Sequence, residues 1–133
     1  MSQKNIRVLI VDDIAQVRQG LATMLTLATK NRKPQIEVIG EARNGTEAIQ
    51  LAGSLHPDVV LMDLEMPVID GLIATRCIKW TQPGVGIVVL TIHHDEATRL
   101  KAAQVGVDDF IEKGAPLDEL LQAILRFQQT SGQ

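Results

Sequence analysis

The sequence predicts an α/β fold: a five-stranded parallel sheet, doubly wound, with helices on both faces. Short strand-like segments recur five times, as apolar runs at residues 6–11, 59–62 and 85–90, a ragged alternation at 36–42 and a shorter segment at 108–112 that carries Phe110 and Ile111. Between them lie segments whose apolar residues fall at spacings of three and four, the period of a helix with one buried stripe. Pro and Gly punctuate several of the joins. Strict alternation of the two element types implies right-handed crossovers, and hence a parallel sheet.

The elements follow in order. Ile6 to Val11, IRVLIV, is a buried strand that ends abruptly at Asp12 and Asp13. Ile14, Val17, Leu21, Leu25 and Ala28 then form one helical stripe, and Thr29 to Gln35, with Lys30, Arg32, Lys33 and Pro34, ends that helix in a basic loop. Ile36 to Ala42 alternates raggedly, which suits an edge strand. Asn44 with Glu47 three residues on reads as a helix cap, with Ala48, Ile49, Ala52 and Leu55 as the buried side and His56-Pro57 as the close.

Val59 to Met62 is continuously apolar, the pattern of a central strand, and Asp70 caps the next helix, whose buried side is read as Ile73, Ala74, Cys77, Ile78 and Trp80. Pro83-Gly84 breaks it. Val85 to Leu90 is the fourth strand, ending at Thr91. The helix over 95–105 is weaker, with Ala97, Leu100 and Ala103 as a thin apolar side, and is expected to be the most mobile. Asp108 to Glu112 carries Phe110 and Ile111 and delivers Lys113 to a loop; Pro116 suits the first turn of a final helix with Leu117, Leu120, Leu121, Ile124 and Leu125 on one side. Residues 5–128 read as one domain and 129–133 as a polar tail or linker stub.

Composition narrows the function classes. At 133 residues the chain suits one compact domain, long enough to bury about two thirds of its unfolded surface. A formal charge of -3 and a pI near 5.5 oppose direct binding of nucleic acid or an anionic membrane, both of which need a positive field. No apolar run approaches the ~20 residues of a bilayer span, and residues 1–10 lack the core of a secretory signal, so a cytoplasmic location is expected. The single cysteine, Cys77, reads as a small buried apolar group without a chemical role.

The chemistry gathers at strand ends. The third strand lies in DVVLMDLEMPVIDG, residues 58–71, and delivers Asp63 to a loop that Pro67 turns sharply. Parallel sheets hold ligands outside the carboxyl ends of their strands, where strand order reverses. With the order 2-1-3-4-5, which is borrowed from known sheets of this class and not read from the residues, Asp12 and Asp13 fall beside Asp63. Three carboxylates in one crevice repel unless something positive sits among them. Oxygen-only ligands with open positions suit Mg²⁺ rather than zinc. Thr91 and Lys113 arrive at the same edge, and a hydroxyl, an ammonium and a metal around a carboxylate make a phosphoryl site.

Each of these residues has a plainer reading: acids after a strand cap helices, and a lone Thr or Lys is usually surface. Their ordered placement at four of five strand ends favours the site. His93 and His94 are adjacent and lack matching partners, so they read as loop residues beside it rather than metal ligands. Gly-rich phosphate loops, zinc-spaced thiol pairs and a Gly-x-Ser-x-Gly elbow are absent from the sequence, so nucleotide hydrolysis has no support.

Taken together, VDD at 11–13, MDLEMPVIDG at 62–71, LT at 90–91 and FIEKG at 110–114 resemble the receiver domain of a bacterial two-component response regulator, over residues 5–128. The resemblance implies a flavodoxin-like fold and a phosphoacceptor, Asp63. Asp13, Asp63 and the Glu65 backbone carbonyl would bind Mg²⁺, with Asp12 acting mostly through a metal-bound water. Thr91 would be the switch hydroxyl, Lys113 its charged partner and Phe110 the aromatic switch residue, with the backbone of Glu65 and Ile92 near the phosphate. It further implies a sensor histidine kinase as partner, a homodimer on phosphorylation, and a changed surface on the fourth helix and fifth strand as output.

Two features depart from the common pattern. Lys113 is followed by Gly114, Ala115 and Pro116 instead of directly by Pro, which is more similar to regulators of the LuxR/NarL type with a DNA-binding output domain. The chain ends before any such domain, as an excised or a stand-alone receiver would. Glu65 also adds a fourth carboxylate at the rim and Ile92 is bulky beside Thr91, so both are expected to alter the lifetime of the phosphorylated state. Two other readings remain: a receiver-like module that signals by contact alone, and a Mg²⁺-dependent phosphatase of the haloacid dehalogenase type. The latter needs its nucleophile on the first strand with an Asp two residues later, and here the first strand ends in adjacent acids.

Overall fold

The computed structural model describes residues 4–65, 71–92 and 95–128. The elements run β1 (Ile6–Val11), α1 (Ala15–Ala28), β2 (Ile36–Ala42), α2 (Gly45–Leu55), β3 (Val59–Asp63), α3 (Gly71–Thr81), β4 (Gly86–Thr91), α4 (Glu96–Val105), β5 (Asp109–Glu112) and α5 (Leu117–Leu125). All five strands pair in parallel in the order β2-β1-β3-β4-β5, so the chain reverses direction across the sheet between β1 and β3. The doubly wound fold and the borrowed order are both observed.

Alternation along the strands divides the core into two layers. Ile6, Val8, Ile10, Val59, Leu61, Val88, Leu90 and Ile111 face one side, where Leu25 of α1 and Leu120, Leu121 and Ile124 of α5 cover them. Leu9, Val11, Val60, Met62, Ile87 and Val89 face the other, under Ala48 and Ala52 of α2 and Ala74 and Ile78 of α3. The central strand β3 is buried along its whole length. Each of its large side chains contributes roughly 1.5–3 kcal/mol of transfer free energy, which anchors the residue at its end.

The ragged pattern of β2 has a structural cause. Val8 pairs with Val38 but Leu9 pairs with Gly40, so Ile39 is an extra residue bulged out of the edge strand. The Asn44 cap is present: its side-chain oxygen accepts the Glu47 N–H at 2.9 Å, while the Glu47 carboxylate accepts the Arg43 N–H at 2.8 Å. Thr29 forms a clip that the sequence reading missed. Its buried hydroxyl donates to the Leu25 carbonyl and accepts the Ile36 N–H, each at 2.9 Å, tying the end of α1 to the start of β2.

Three helix faces differ from expectation. On α3 the buried residues are Gly71, Ala74, Thr75 and Ile78, whereas Ile73, Cys77 and Trp80 are exposed, Trp80 by 87%. Ile73, Cys77 and Trp80 do share a stripe, at i, i+4 and i+7. At about 100° per residue, however, it lies about a third of a turn round the helix from Ala74 and Ile78, so Cys77 is not a core residue. On α1 the stripe is buried only toward its C-terminal end. Leu25 is fully covered, Val17 is 37% exposed, and Ile14 precedes the helix and is 55% exposed. Val17, Leu21 and Met24 instead line a cleft shared with Leu117 and Leu120 of α5. On α4 the buried residue is Ala102, and Ala97, Leu100 and Ala103 face outward. The Asp70 cap, the His93-His94 pair and the 129–133 tail lie outside the described residues.

Candidate functional site

The carboxyl edge of the sheet gathers charge. β1 ends at Val11, so Asp12 and Asp13 emerge beside the end of β3, where Asp63 is the last strand residue. One carboxylate oxygen from each of Asp12, Asp13 and Asp63 lies within 4.8 Å of the other two. Asp12 and Asp63 are nearly inaccessible, at 2% and 3% exposure, while Asp13 is exposed. The crevice therefore has two buried acids and one solvent-facing acid at its mouth.

Backbone and side-chain contacts fix this geometry. The Asp12 carboxylate accepts the Ile14 N–H at 2.9 Å and the Asp63 carboxylate accepts the Glu65 N–H at 3.1 Å. Each acid thus bonds the backbone two residues on, the Asx pattern that starts a turn. The Arg18 guanidinium donates to the Asp12 carbonyl at 2.7 Å and pairs with Glu41 at 3.1 Å, bracing the end of β1 against the end of β2. No sequence signal marked Arg18. Gly71 starts α3 directly beneath Asp63: a side chain there would come within 2.9 Å of the Asp63 carbonyl, Leu64 and Met62.

Lys113 enters from β5. Its N–H donates to the Thr91 carbonyl at 2.9 Å, and the Ala115 N–H donates to the Glu112 carbonyl at 3.1 Å, closing a tight turn over 112–115. Gly114 has φ +94° at the third position of that turn, where a type II turn requires a positive φ. That requirement explains Gly after the lysine in this chain. The ammonium lies 3.2 Å from Asp63 Oδ1, 3.7 Å from Glu65 Oε1 and 4.0 Å from Asp12 Oδ2.

The titration behaviour follows from this packing. Burial pushes the carboxyls of Asp12 and Asp63 above the usual carboxylate range, against the lowering effect of their N–H bonds and of Lys113. For Lys113, burial acts to lower the pKa, but the charges of Asp63, Glu65 and Asp12 outweigh it and the ammonium is held above its ordinary value. The site is an acid-rich crevice with the Lys113 ammonium on its rim.

Thr91 is fully buried at the end of β4, and its hydroxyl donates to Glu65 Oε2 at 3.0 Å. The Ile92 N–H donates to Glu65 Oε1 at 2.9 Å. The sequence placed Glu65 on the rim without showing that its side chain spans to β4. Phe110 stands apart from the carboxylates, half-buried beside α4, with the Arg99 guanidinium 4.8 Å above its ring. The structure thus brings together Asp12, Asp13, Asp63, Glu65, Thr91, Ile92 and Lys113, and leaves Phe110 on the neighbouring α4–β5 surface.

The donor set fits a hard cation. Three carboxylates within reach of one another, with no His or Cys in the cluster among the described residues, match the all-oxygen ligation of Mg²⁺ and not of zinc. Two of the three are buried, where a carboxylate charge is costly, a situation that a divalent ion relieves.

Residues 8–125 match the family described as the response regulator receiver domain. The chain is 40% identical over 119 residues to the response regulator GacA of Pseudomonas aeruginosa, covering 90% of this chain and 53% of that protein. It is 43% identical over 109 residues to protein-glutamate methylesterase/protein-glutamine glutaminase 1 of Methanosarcina acetivorans, covering 80% of this chain and 30% of that one. Among solved structures it resembles a LuxR-family two-component response regulator from Aurantimonas sp. SI85-9A1. The TM-score is 0.81 at 32% identity, over 95% of this chain and 84% of that one. A doubly wound sheet whose reversal point carries an aspartate cluster, a lysine and a threonine is the receiver architecture, and this chain belongs to the response regulator receiver family. It spans about half the length of its GacA relative. Among the described residues no helix is long and apolar enough to cross a membrane.

Proposed function

We propose that the chain is a phosphoacceptor switch: Asp63 takes a phosphoryl group from a phosphohistidine of a sensor histidine kinase. The observation that carries this reading is the meeting of Asp12, Asp13 and Asp63 within 4.8 Å, with Lys113 3.2 Å from Asp63. In the transfer an Asp63 carboxylate oxygen attacks phosphorus in line and forms the O–P bond. The N–P bond of the donor breaks, its electron pair stays on the imidazole nitrogen, and the product is an aspartyl phosphate.

Asp13, Asp63 and the Glu65 backbone carbonyl would hold Mg²⁺, with Asp12 acting through a water bound to it. The metal would supply neutralisation of charge on the transferring oxygens. Lys113 balances the charge that arrives on Asp63, and its short turn keeps the ammonium on the rim rather than in solvent. Thr91 and the Ile92 N–H supply hydrogen-bond donors from the end of β4. The protein acts on itself and is not a turnover enzyme.

The switch reads out through Thr91 and the neighbouring Phe110 surface. Phe110 is half-buried beside α4, under the Arg99 guanidinium, and Ala102 is the buried residue of α4. A helix anchored so lightly shifts at low cost when Thr91 changes partner. The surface of α4, or the strongly apolar α5, serves a homodimer formed on phosphorylation. Relatives named as transcriptional regulators, among them LnrK of Bacillus subtilis, support a DNA-binding output domain outside this sequence, which makes transcription control the favoured role. The methylesterase relative shows that similar receivers also occur in proteins of other kinds. The receiver itself is not proposed to bind nucleic acid.

Incubation with acetyl phosphate and Mg²⁺ should add one phosphoryl group to the intact mass. Chelation of the metal and Asp63→Asn should each abolish it. Unchanged mass in a folded sample that binds Mg²⁺ would favour a module that works by contact alone, or a receiver that accepts the phosphoryl group only from its kinase.

A further inference from the structure

The Glu65 side chain lies across the site and touches every donor the phosphoryl reading needs. Its Oε2 accepts the Thr91 hydroxyl at 3.0 Å, its Oε1 accepts the Ile92 N–H at 2.9 Å, and the same Oε1 is 3.7 Å from the Lys113 ammonium. These groups come from the ends of β4 and β5, and a phosphoryl group on Asp63 would draw on the same three. Two carboxylate oxygens thus stand in for two phosphoryl oxygens, with the same sign of charge and the same hydrogen-bonding preference. Asp63 anchors this arrangement, since its carboxylate accepts the Glu65 N–H at 3.1 Å and so fixes where the Glu65 side chain starts. Ile92 is 60% exposed, yet its N–H is bonded inward to the carboxylate and not left to water.

We propose that Glu65 is an internal ligand of the phosphoryl pocket, which holds Thr91, Ile92 and Lys113 in the resting protein and must be displaced for a phosphoryl group to bind there. The proposal rests on the phosphoacceptor reading above and adds a regulatory element to it. Displacement exchanges one anion for another, so Thr91 has an anionic acceptor both in the closed resting state and in the phosphorylated one. Apparent affinity for a phosphoryl group is then reduced by the fraction of molecules in which Glu65 has swung out. The carboxylate makes the switch resistant to weak donors without altering Asp63, Thr91 or Lys113. It also distinguishes this chain from any receiver with a short neutral residue at that position, whose pocket donors would face water.

Two independent measurements on the full chain read the same open fraction. In the first, backbone hydrogen exchange at Ile92 is followed without metal or phosphodonor in wild type, Glu65→Gln and Glu65→Ala. If the pocket is open in about a tenth of wild-type molecules, exchange in Glu65→Ala is about tenfold faster, with the amide variant between. In the second, Mg²⁺ and beryllium trifluoride, a tetrahedral phosphoryl mimic, are titrated by calorimetry. Glu65→Ala then binds the mimic about tenfold more tightly, by the same factor as the exchange ratio.

Equal Ile92 exchange in all three proteins, or weaker mimic binding in Glu65→Ala, overturns the proposal while leaving the phosphoacceptor reading intact. Failure of wild type and both variants to bind the mimic, with all folded and Mg²⁺ bound, overturns the phosphoacceptor reading and the proposal with it. Glu65→Gln, nearly isosteric with the native residue, keeps the test valid should the alanine variant unfold.

Discussion

Lys113→Met tests the electrostatic account of the site. Methionine keeps the apolar stem of Lys113, which lines the cleft beside Leu117 and Leu120, and removes only the charge. What remains is Asp12, Asp63 and Glu65, whose oxygens the ammonium had faced at 4.0, 3.2 and 3.7 Å. An exposed ion pair is worth roughly 0.2–1 kcal/mol, while removing one partner of a buried pair costs roughly 3–5 kcal/mol. The Lys113 side chain is 32% exposed and Asp63 is 4% exposed, an intermediate case. A loss of about 2 kcal/mol follows.

For 133 residues at ~2.1 cal/mol/K per residue, that loss lowers Tm by about 7 °C. Thermal unfolding without metal at neutral pH measures it. Millimolar Mg²⁺ should raise Tm by more in Lys113→Met than in wild type, because the ion then supplies the missing positive charge. A variant as stable as wild type without metal would refute the reasoning, since the three carboxylates would not need their cation.

Further predictions follow from the same structure. Folding raises the pKa of Asp12, chiefly through burial. Its ionised form therefore costs stability, fully above the folded pKa and less as pH falls toward the unfolded value. Asp12→Asn keeps an acceptor for the Ile14 N–H and should stabilise the metal-free protein by about 1 kcal/mol at pH 7. The gain should fade as pH falls through the raised folded pKa toward about 4 and the Mg²⁺-induced rise in Tm should shrink; urea titrations across pH would show a loss instead if the buried charge were not costly. At the other end of β4, an added Cβ at Gly86 would meet the Phe127 ring at 2.7 Å. Gly86→Ala should therefore cost about 1–3 kcal/mol by overpacking, and less in a Phe127→Leu background. Equal costs in the two backgrounds, measured by denaturant unfolding, would mean that the ring is not the obstacle.

The sheet and the site were legible for the same reason. A parallel strand covered on both faces must be apolar throughout, so the residue at which the run stops is visible in the sequence. At Asp12, Asp63 and Thr91 that residue is also the one at the crevice. Helix faces were harder to read. α3 carries apolar residues on two sides, and periodicity alone did not show that Ala74 and Ile78, rather than Ile73, Cys77 and Trp80, face the sheet. Small residues allow the helix to approach closely, a packing preference that a search for large apolar groups passes over. The Glu65 contact spans 26 and 27 residues to Thr91 and Ile92, and no local pattern encodes it. Strand order entered from known sheets of this class, because sequence periodicity carries no information about which strands are neighbours.

The identity of the modified residue tests the central claim most directly. Protein treated with acetyl phosphate and Mg²⁺ would be reduced with borohydride, which converts an aspartyl phosphate to homoserine, and the modified peptide would be mapped by mass spectrometry. Homoserine at position 63, present only in treated protein and lost on chelation, is the expected result. Homoserine at Asp12 or Asp13 instead, or none in folded protein that carries a phosphoryl group elsewhere, would contradict the assignment of Asp63 as the acceptor.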